Sequence, residues 1–258
     1  MKDDLRIRIV DMITKAGEGH IPSSFSIVDI IDTLYGKFLK VDKSNPKWED
    51  RDYFVLSKGH GCAALFVVLE KQGFLKSSDI ENYGTYRGIL GGHPDRTKVP
   101  GAEASTGSLG HGISFSMGIA LGNKIKNKDS KTIVLVGDGE CHEGTVWETA
   151  LVAQNLKLNN FCCVVDFNGS AAQILPHPNI EAQWKAFGWE TITIDGHDRK
   201  QIEAAFTRFY SGEFKAPLAI IAKNVKGKGV SFMETHGPWH HKIPNAQEYA
   251  AIIAELNK

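Results

Sequence analysis

The sequence predicts an α/β protein: a doubly wound, mostly parallel sheet with helices on both faces. Three observations predict it. Short, nearly all-apolar runs recur at 53–56, 132–136, 161–166, 190–194 and 217–223. Helix-like segments near 145–156, 180–187 and 199–210 lie between the last four of these runs, and strand–helix alternation marks parallel crossover units. Strands of this apolar character are those that helices cover on both sides.

In chain order, residues 4–16 place apolar side chains at helical spacing, and 26–39 read as a second helix. A polar, proline-bearing loop then leads to the short strand 53–56, which ends on Ser57-Lys58-Gly59-His60. Residues 62–72 read as a helix. Residues 83–112 are glycine-rich and irregular. A loop this long inside a compact domain is functional or disordered, and its histidines and aromatics favour function. Residues 113–126 read as a helix whose small residues (Ser114, Ser116, Gly118, Ala120, Gly122) suit close packing. Strand 161–166 contains Cys162 and Cys163, whose side chains should take opposite faces. Trp147, Trp184 and Trp189 read as packing residues, and Lys223, Lys226 and Lys228 as a solvated turn near a diphosphate at most. No repeat or linker divides the chain, so one domain over 1–258 is expected.

Composition narrows the function classes. The 258 residues carry 30 Lys+Arg against 30 Asp+Glu, a formal charge of zero. Nucleic-acid and anionic-membrane binding are not expected, while weak charge repulsion permits an oligomer. The N-terminus lacks the apolar core of a signal peptide, and no run approaches the roughly 20 apolar residues of a membrane span. The four cysteines form no CxxC pair and no disulfide framework. A reducing cytoplasm is the expected setting.

The chemistry gathers at strand ends, where open parallel sheets bind ligands. Thr132–Val136 runs into Gly137-Asp138-Gly139, and the next strand into Asp166-Phe167-Asn168-Gly169-Ser170. Glycine and aspartate also make plain turns. Yet Asp138 and Asn168 each offer an oxygen on neighbouring strands, a donor set suited to Mg2+. A glycine-lined helix start beside them would offer N–H groups to a diphosphate. A dinucleotide fingerprint fails at His142, and no P-loop GK[ST] occurs.

In order, the segments Gly19-His20, NPKWEDRDYFVLSKGH (45–60), GGHPD (91–95), PGAEASTGSLGHG (100–112) and GDGECHEGTVWETALVAQNLKLNN (137–160), followed by Asn168, resemble the transketolase family. The resemblance spans nearly the whole chain but only the first half of a family member. It implies the thiamine-diphosphate-binding fold and the N-terminal, diphosphate-binding subunit of a split transketolase. The implied reaction moves a two-carbon ketol unit from a ketose to an aldose, using thiamine diphosphate and Mg2+. The implied partner is a C-terminal, pyrimidine-domain subunit in a heterotetramer, because the family's glutamate, aromatic pocket and most phosphate-gripping groups lie there.

The resemblance also implies roles. Asp138, the Asn168 side chain and the Ser170 carbonyl would bind Mg2+. His60, Gly107, Ser108, Leu109, Gly139, Glu140, Asn168 and Glu143 would line the cofactor, Glu143 as the acid that links two active sites. A helix-start carboxylate favoured by the dipole is the structural alternative for Glu143. His20, His93 and His240 would surround the reacting carbon. His241 stands where the family commonly has glycine. His236, His240 and His241 also raise a zinc reading, which lacks a fourth ligand. Segments 21–24 and 170–178 depart from the family pattern beside the substrate. They leave open a non-standard sugar, such as a sulfonated or branched ketose, alongside sugar phosphates. A non-catalytic cofactor-binding module and a nucleotide-binding Rossmann protein are the readings of other classes.

Overall fold

The computed structural model describes residues 4–234 and 237–258. Its strands are β1 (Tyr53–Leu56), β2 (Thr132–Gly137), β3 (Phe161–Phe167), β4 (Glu190–Asp195) and β5 (Leu218–Lys223). They form one sheet in the order β1-β2-β3-β5-β4. Every pairing in it is parallel. Each strand matches an apolar run of the sequence to within a residue.

The two faces of the sheet fill two separate cores. On one, Ile133, Leu135, Cys162, Val164 and Ile220 pack with residues of α1 (Asp4–Ala16), α3 (Val28–Lys37), α4 (Cys62–Lys71) and α9 (Arg199–Tyr210). On the other, Val134, Val136, Cys163, Val165 and Ile221 pack with α6 (His111–Ile125), α7 (Gly144–Asn155) and α8 (Ile180–Ala186). Cys162 and Cys163 thus take opposite faces, as their alternation requires. Trp184 and Trp189 are buried edge to face at 4.7 Å, with Trp147 tilted against Trp184 at 5.2 Å. These tryptophans belong to the second core.

The helix expected over 26–39 forms as α3, and a turn of helix that was not expected comes before it. A short helix α2 (Ile21–Phe25) precedes α3. Pro22 sits in its first turn, where a missing N–H leaves no bond unmade. Between α2 and α3, the Ser26 hydroxyl donates to Asp166 at the end of β3 (2.6 Å). Two further helices, α5 (Ser77–Glu81) and α10 (Ala246–Leu256), also form. Asn245 and Glu248 cap α10 reciprocally, and Ile252 and Leu256 dock it on the first core. Among the described residues, no helix is long and apolar enough to cross a membrane.

Candidate active site

β2 and β3 end side by side, with Gly137 in register with Asp166. Asp138 follows immediately and is 3% exposed. Its Oδ1 accepts from Gly139 N–H (2.8 Å) and its Oδ2 from Ala171 N–H (3.3 Å). Among the described residues no basic side chain forms an ion pair with it. A buried carboxylate without a counter-charge is costly, and this one lies beside a second oxygen donor. Asn168 Oδ1 sits at the same turn, accepting from Ser170 N–H (3.0 Å). Gly169 takes φ +78, a left-handed conformation that folds Ser170 back over Asn168. The Ser170 hydroxyl is buried without a partner among the described residues, as a polar atom facing a ligand would be. Hard oxygens on a pinned turn fit Mg2+.

Behind the turn lies a buried ionic knot. Lys58 and Asp166 pair at 2.5 Å with side chains 2% and 0% exposed. Asp166 also accepts from Ser26 (2.6 Å), Asn224 (2.6 Å) and the Asn168 amide (2.8 Å). The last bond fixes which way the Asn168 amide faces. Burial pushes the Asp166 carboxyl upward, but Lys58 and the other donors outweigh it and hold it below its ordinary value.

Glu140 clasps together the loop after β1, the segment before α6 and the end of β2. Its Oε1 accepts from Ser57 Oγ (2.5 Å) and Gly110 N–H (2.8 Å), and its Oε2 from Gly137 N–H (3.1 Å). Burial pushes its carboxyl above the usual range despite these donors. The loops meet tightly elsewhere too. A Cβ on Gly59 would lie 2.9 Å from Gly107 N. Gly107 takes φ +156, and a Cβ there would lie 3.1 Å from the His93 ring.

Imidazoles converge above these loops. The His20 ring lies 5.3 Å from His60, 5.2 Å from His240 and 4.6 Å from His241, centroid to centroid. Burial, then His241, His240 and His93, lowers the His20 pKa to about 4. Burial, then the Lys58 charge, lowers that of His60 to about 2. Both rings are therefore neutral near pH 7, each with one N–H and one lone-pair nitrogen. Lys226 Nζ donates to His240 Nδ1 (2.8 Å), which leaves the His240 proton on Nε2. Burial, then Lys58, lowers the Lys226 pKa. A cleft of about 460 Å³ opens here, lined by Leu109, Gly139, Ser170, Lys226, Trp239 and His240 among others.

The structure therefore brings His20, His60, His240, Asp138, Asn168, Ser170, Gly139 and Leu109 together, with His93 and Gly107 packed against each other beside them. Ser108 is exposed, with its hydroxyl 3.3 Å from His111 Nδ1. Glu143 is exposed at the N-cap of α7 without a side-chain capping bond. Glu140, expected to line the cofactor, has both of its oxygens accepting from protein donors. The helix start beside Asp138 is also different. A 3-10 turn (Gly139–His142) intervenes before α7, and its first N–H is already used by Asp138. Lys226 is no solvated turn residue, because His197 pulls its segment inward. His197 Nδ1 donates to Asp29 (2.7 Å), and Nε2 accepts from Val225 N–H (2.9 Å). For the zinc reading, His236 lies outside the described residues. Among the described residues, no group of three His, Cys, Asp or Glu is placed to hold a metal.

Sequence reasoning missed Lys58 and Asp166 as a pair, although both lie in loops it singled out. It also missed His177, which sits in the divergent 170–178 segment. His177 Nε2–H donates to the Asp138 carbonyl (2.9 Å), and the ring stacks on His142 at 4.3 Å.

Comparison with known proteins adds a family. Residues 1–253 match the family described as transketolase, thiamine diphosphate binding domain. The chain is 37% identical over 258 residues to an apulose-4-phosphate transketolase subunit of Phocaeicola vulgatus, covering 98% of this chain and 91% of that one. It is 34% identical over 259 residues to the 6-deoxy-6-sulfo-D-fructose transketolase subunit SqwG of a Clostridium species, covering 98% and 94%. The transketolase structure from Campylobacter jejuni superimposes with a TM-score of 0.91 at 29% identity, covering 98% of this chain but only 41% of that one.

Proposed function

This chain belongs to the transketolase thiamine-diphosphate-binding family, and we propose that it is the diphosphate-binding subunit of a two-chain transketolase. It acts with a pyrimidine-domain partner, as two copies of each, on ketose and aldose substrates in the cytoplasm. The four free, buried cysteines suit a reducing compartment. The whole of 1–258 serves as one cofactor-binding unit.

The observation that carries this reading is the buried Asp138, without an ion-pair partner among the described residues, beside the Asn168 oxygen and beneath converging imidazoles at the carboxyl ends of β2 and β3. Asp138, the Asn168 oxygen and the Ser170 carbonyl hold Mg2+. Gly139 and His60 face the diphosphate, and Gly107, Ser108 and Leu109 border the ring system. When bound, thiamine diphosphate supplies the carbon nucleophile and electron sink that cleavage next to a ketose carbonyl requires. The chain's own residues do the rest. His20, His93 and His240 hydrogen-bond the sugar oxygens at the reacting carbons and move protons on and off them. Lys226 fixes the His240 tautomer so that Nε2–H faces the cleft. Lys226, which lines the cleft, adds positive charge beside the diphosphate.

The sugar itself has a second reading. Two relatives, similar over nearly their full length, are named for apulose 4-phosphate and 6-deoxy-6-sulfo-D-fructose. That favours a branched or sulfonated ketose over the ordinary pentose phosphates.

The test is two-carbon transfer from xylulose 5-phosphate to ribose 5-phosphate, with thiamine diphosphate and Mg2+. It is run with this chain alone and with its pyrimidine-domain partner. Activity only in the mixture supports the two-chain reading with ordinary substrates. A silent mixture that turns over a branched or sulfonated ketose supports the second reading. Robust turnover by the chain alone, or none by the mixture with any ketose, refutes the proposal.

A further inference from the structure

One ring in the cluster has no task in the reaction as assigned. The His241 ring stands edge-on to His20 at 4.6 Å and 60°, nearer than either His60 or His240 does. Its backbone, at φ −134 and ψ 26, is open to any residue, so conformation alone does not select its identity. Among the described residues, no hydrogen bond engages either of its nitrogens. The side chain is not core filling, because His241 is exposed.

Burial orders the rings. His60 and His20 are partly buried, whereas His240 and His241 are exposed. A sugar whose reacting carbons lie among His20, His93 and His240 leads its remaining carbons outward past the exposed His241. The 4.6 Å step from His20 to His241 is spanned by roughly four carbon–carbon bonds of about 1.5 Å in a zigzag chain. The imidazole nitrogens can donate to or accept from a hydroxyl group.

We propose that His241 is a specificity-determining residue, whose ring meets a hydroxyl of the sugar beyond the reacting carbons and so favours extended polyhydroxylated chains. The proposal rests on the two-carbon-transfer reading. Its chemistry adds no step to the reaction. It changes which aldehydes and ketoses fit.

The test uses the chain assembled with its pyrimidine-domain partner, thiamine diphosphate and Mg2+. Hydroxypyruvate is the donor, and glycolaldehyde and a five-carbon aldose are the competing acceptors. The readout is the ratio of kcat/KM for the long acceptor to that for the short one, in wild type, His241→Ala and His241→Asn. The ratio should fall roughly fivefold to tenfold in H241A, the scale of one lost hydrogen bond. The loss should lie mainly in KM for the long acceptor. H241N, which keeps a donor and an acceptor, should recover part of it. A ratio within about twofold of wild type overturns the proposal. So does an equal loss on both acceptors, which would assign the ring to chemistry or to the fold. Silence of the wild-type assembly with every donor and acceptor fails the two-carbon-transfer reading instead, before any variant is compared.

Discussion

Replacing Lys58 by Met tests the buried knot under the cation site. At 2.5 Å the pair's Coulomb attraction is about 7 kcal/mol at an effective dielectric of about 20. Desolvating the two ions offsets most of that, so the intact pair is worth little net. Removing one partner is different. Asp166, 0% exposed, would keep only the neutral donors Ser26, Asn224 and Asn168. The expected loss is about 3–5 kcal/mol, read as a lower urea midpoint at unchanged slope. Adding Asp166→Asn should recover roughly half of the loss, because no buried charge then remains. The pH dependence follows from the sign of the shift. In the wild type the Asp166 pKa is held low, so its contribution is present above the unfolded value of about 3.9 and is lost on acidification. In the variant, burial alone raises that pKa, and the folded state takes up a proton first. The gap between the two proteins is therefore full near pH 7.5 and narrows as pH falls. A gap below about 1 kcal/mol, or one independent of pH between pH 7.5 and 5, would refute this account of the knot.

Three further outcomes are expected. Asp138→Asn should weaken Mg2+-dependent thiamine diphosphate binding by more than about 100-fold. Calorimetry on the assembled protein reads this, with far-UV circular dichroism unchanged. Gly59→Ala should cost about 1–3 kcal/mol, because its Cβ would lie 2.9 Å from backbone atoms of Thr106 and Gly107; thermal unfolding reads this. Stability of the wild type should fall as pH drops from about 6.5 toward 4. His20 and His60 have folded pKa values near 4 and 2, so the unfolded chain binds their protons first. Urea midpoints should show a shallower slope over this window for His20→Asn, and an unchanged slope would contradict the burial of that ring.

Four of the strands were legible because each is a short, buried apolar run; β4, an edge strand with polar alternation and much of its length exposed, was legible from its place between two helices. Cys162 and Cys163 show how far this goes, since their adjacency alone places one in each core. Helices were legible where a crossover required one. α10 was not, because it follows the last strand, where no topological rule demands a helix. Its signals were local: Asn245 before Glu248, and an apolar stripe ending at Ile252 and Leu256. The short helix α2 was invisible for another reason. The turn that follows it is held by Ser26, which bonds to Asp166, 140 positions away.

The same distinction governs the site. Asp138 and Asn168 were legible because each follows an apolar strand and is flanked by glycine, so position and chemistry coincide in a few consecutive residues. Lys58 was hidden by its type. A lysine in a polar loop reads as solvated, and only the fold reveals that its ammonium lies buried against Asp166. Glu140 was hidden by its company, since an acid two residues after Asp138 invites a cofactor role. Its three donors come from Ser57, Gly110 and Gly137, which belong to three different loops, so the carboxylate works as a clasp. A motif of this kind therefore encodes two functions in one run of letters. Some residues face the ligand, and others hold together the loops that face it. Pattern alone cannot separate them, because both are polar, glycine-flanked and close in sequence. The provenance of the donors separates them. Glu140 accepts from Ser57, Gly110 and Gly137 on three separate segments, whereas Asp138 accepts from the Gly139 and Ala171 N–H groups at the ends of β2 and β3. Asp138 is buried beside Asn168 with no basic group paired to it among the described residues, and so retains the capacity to bind a cation.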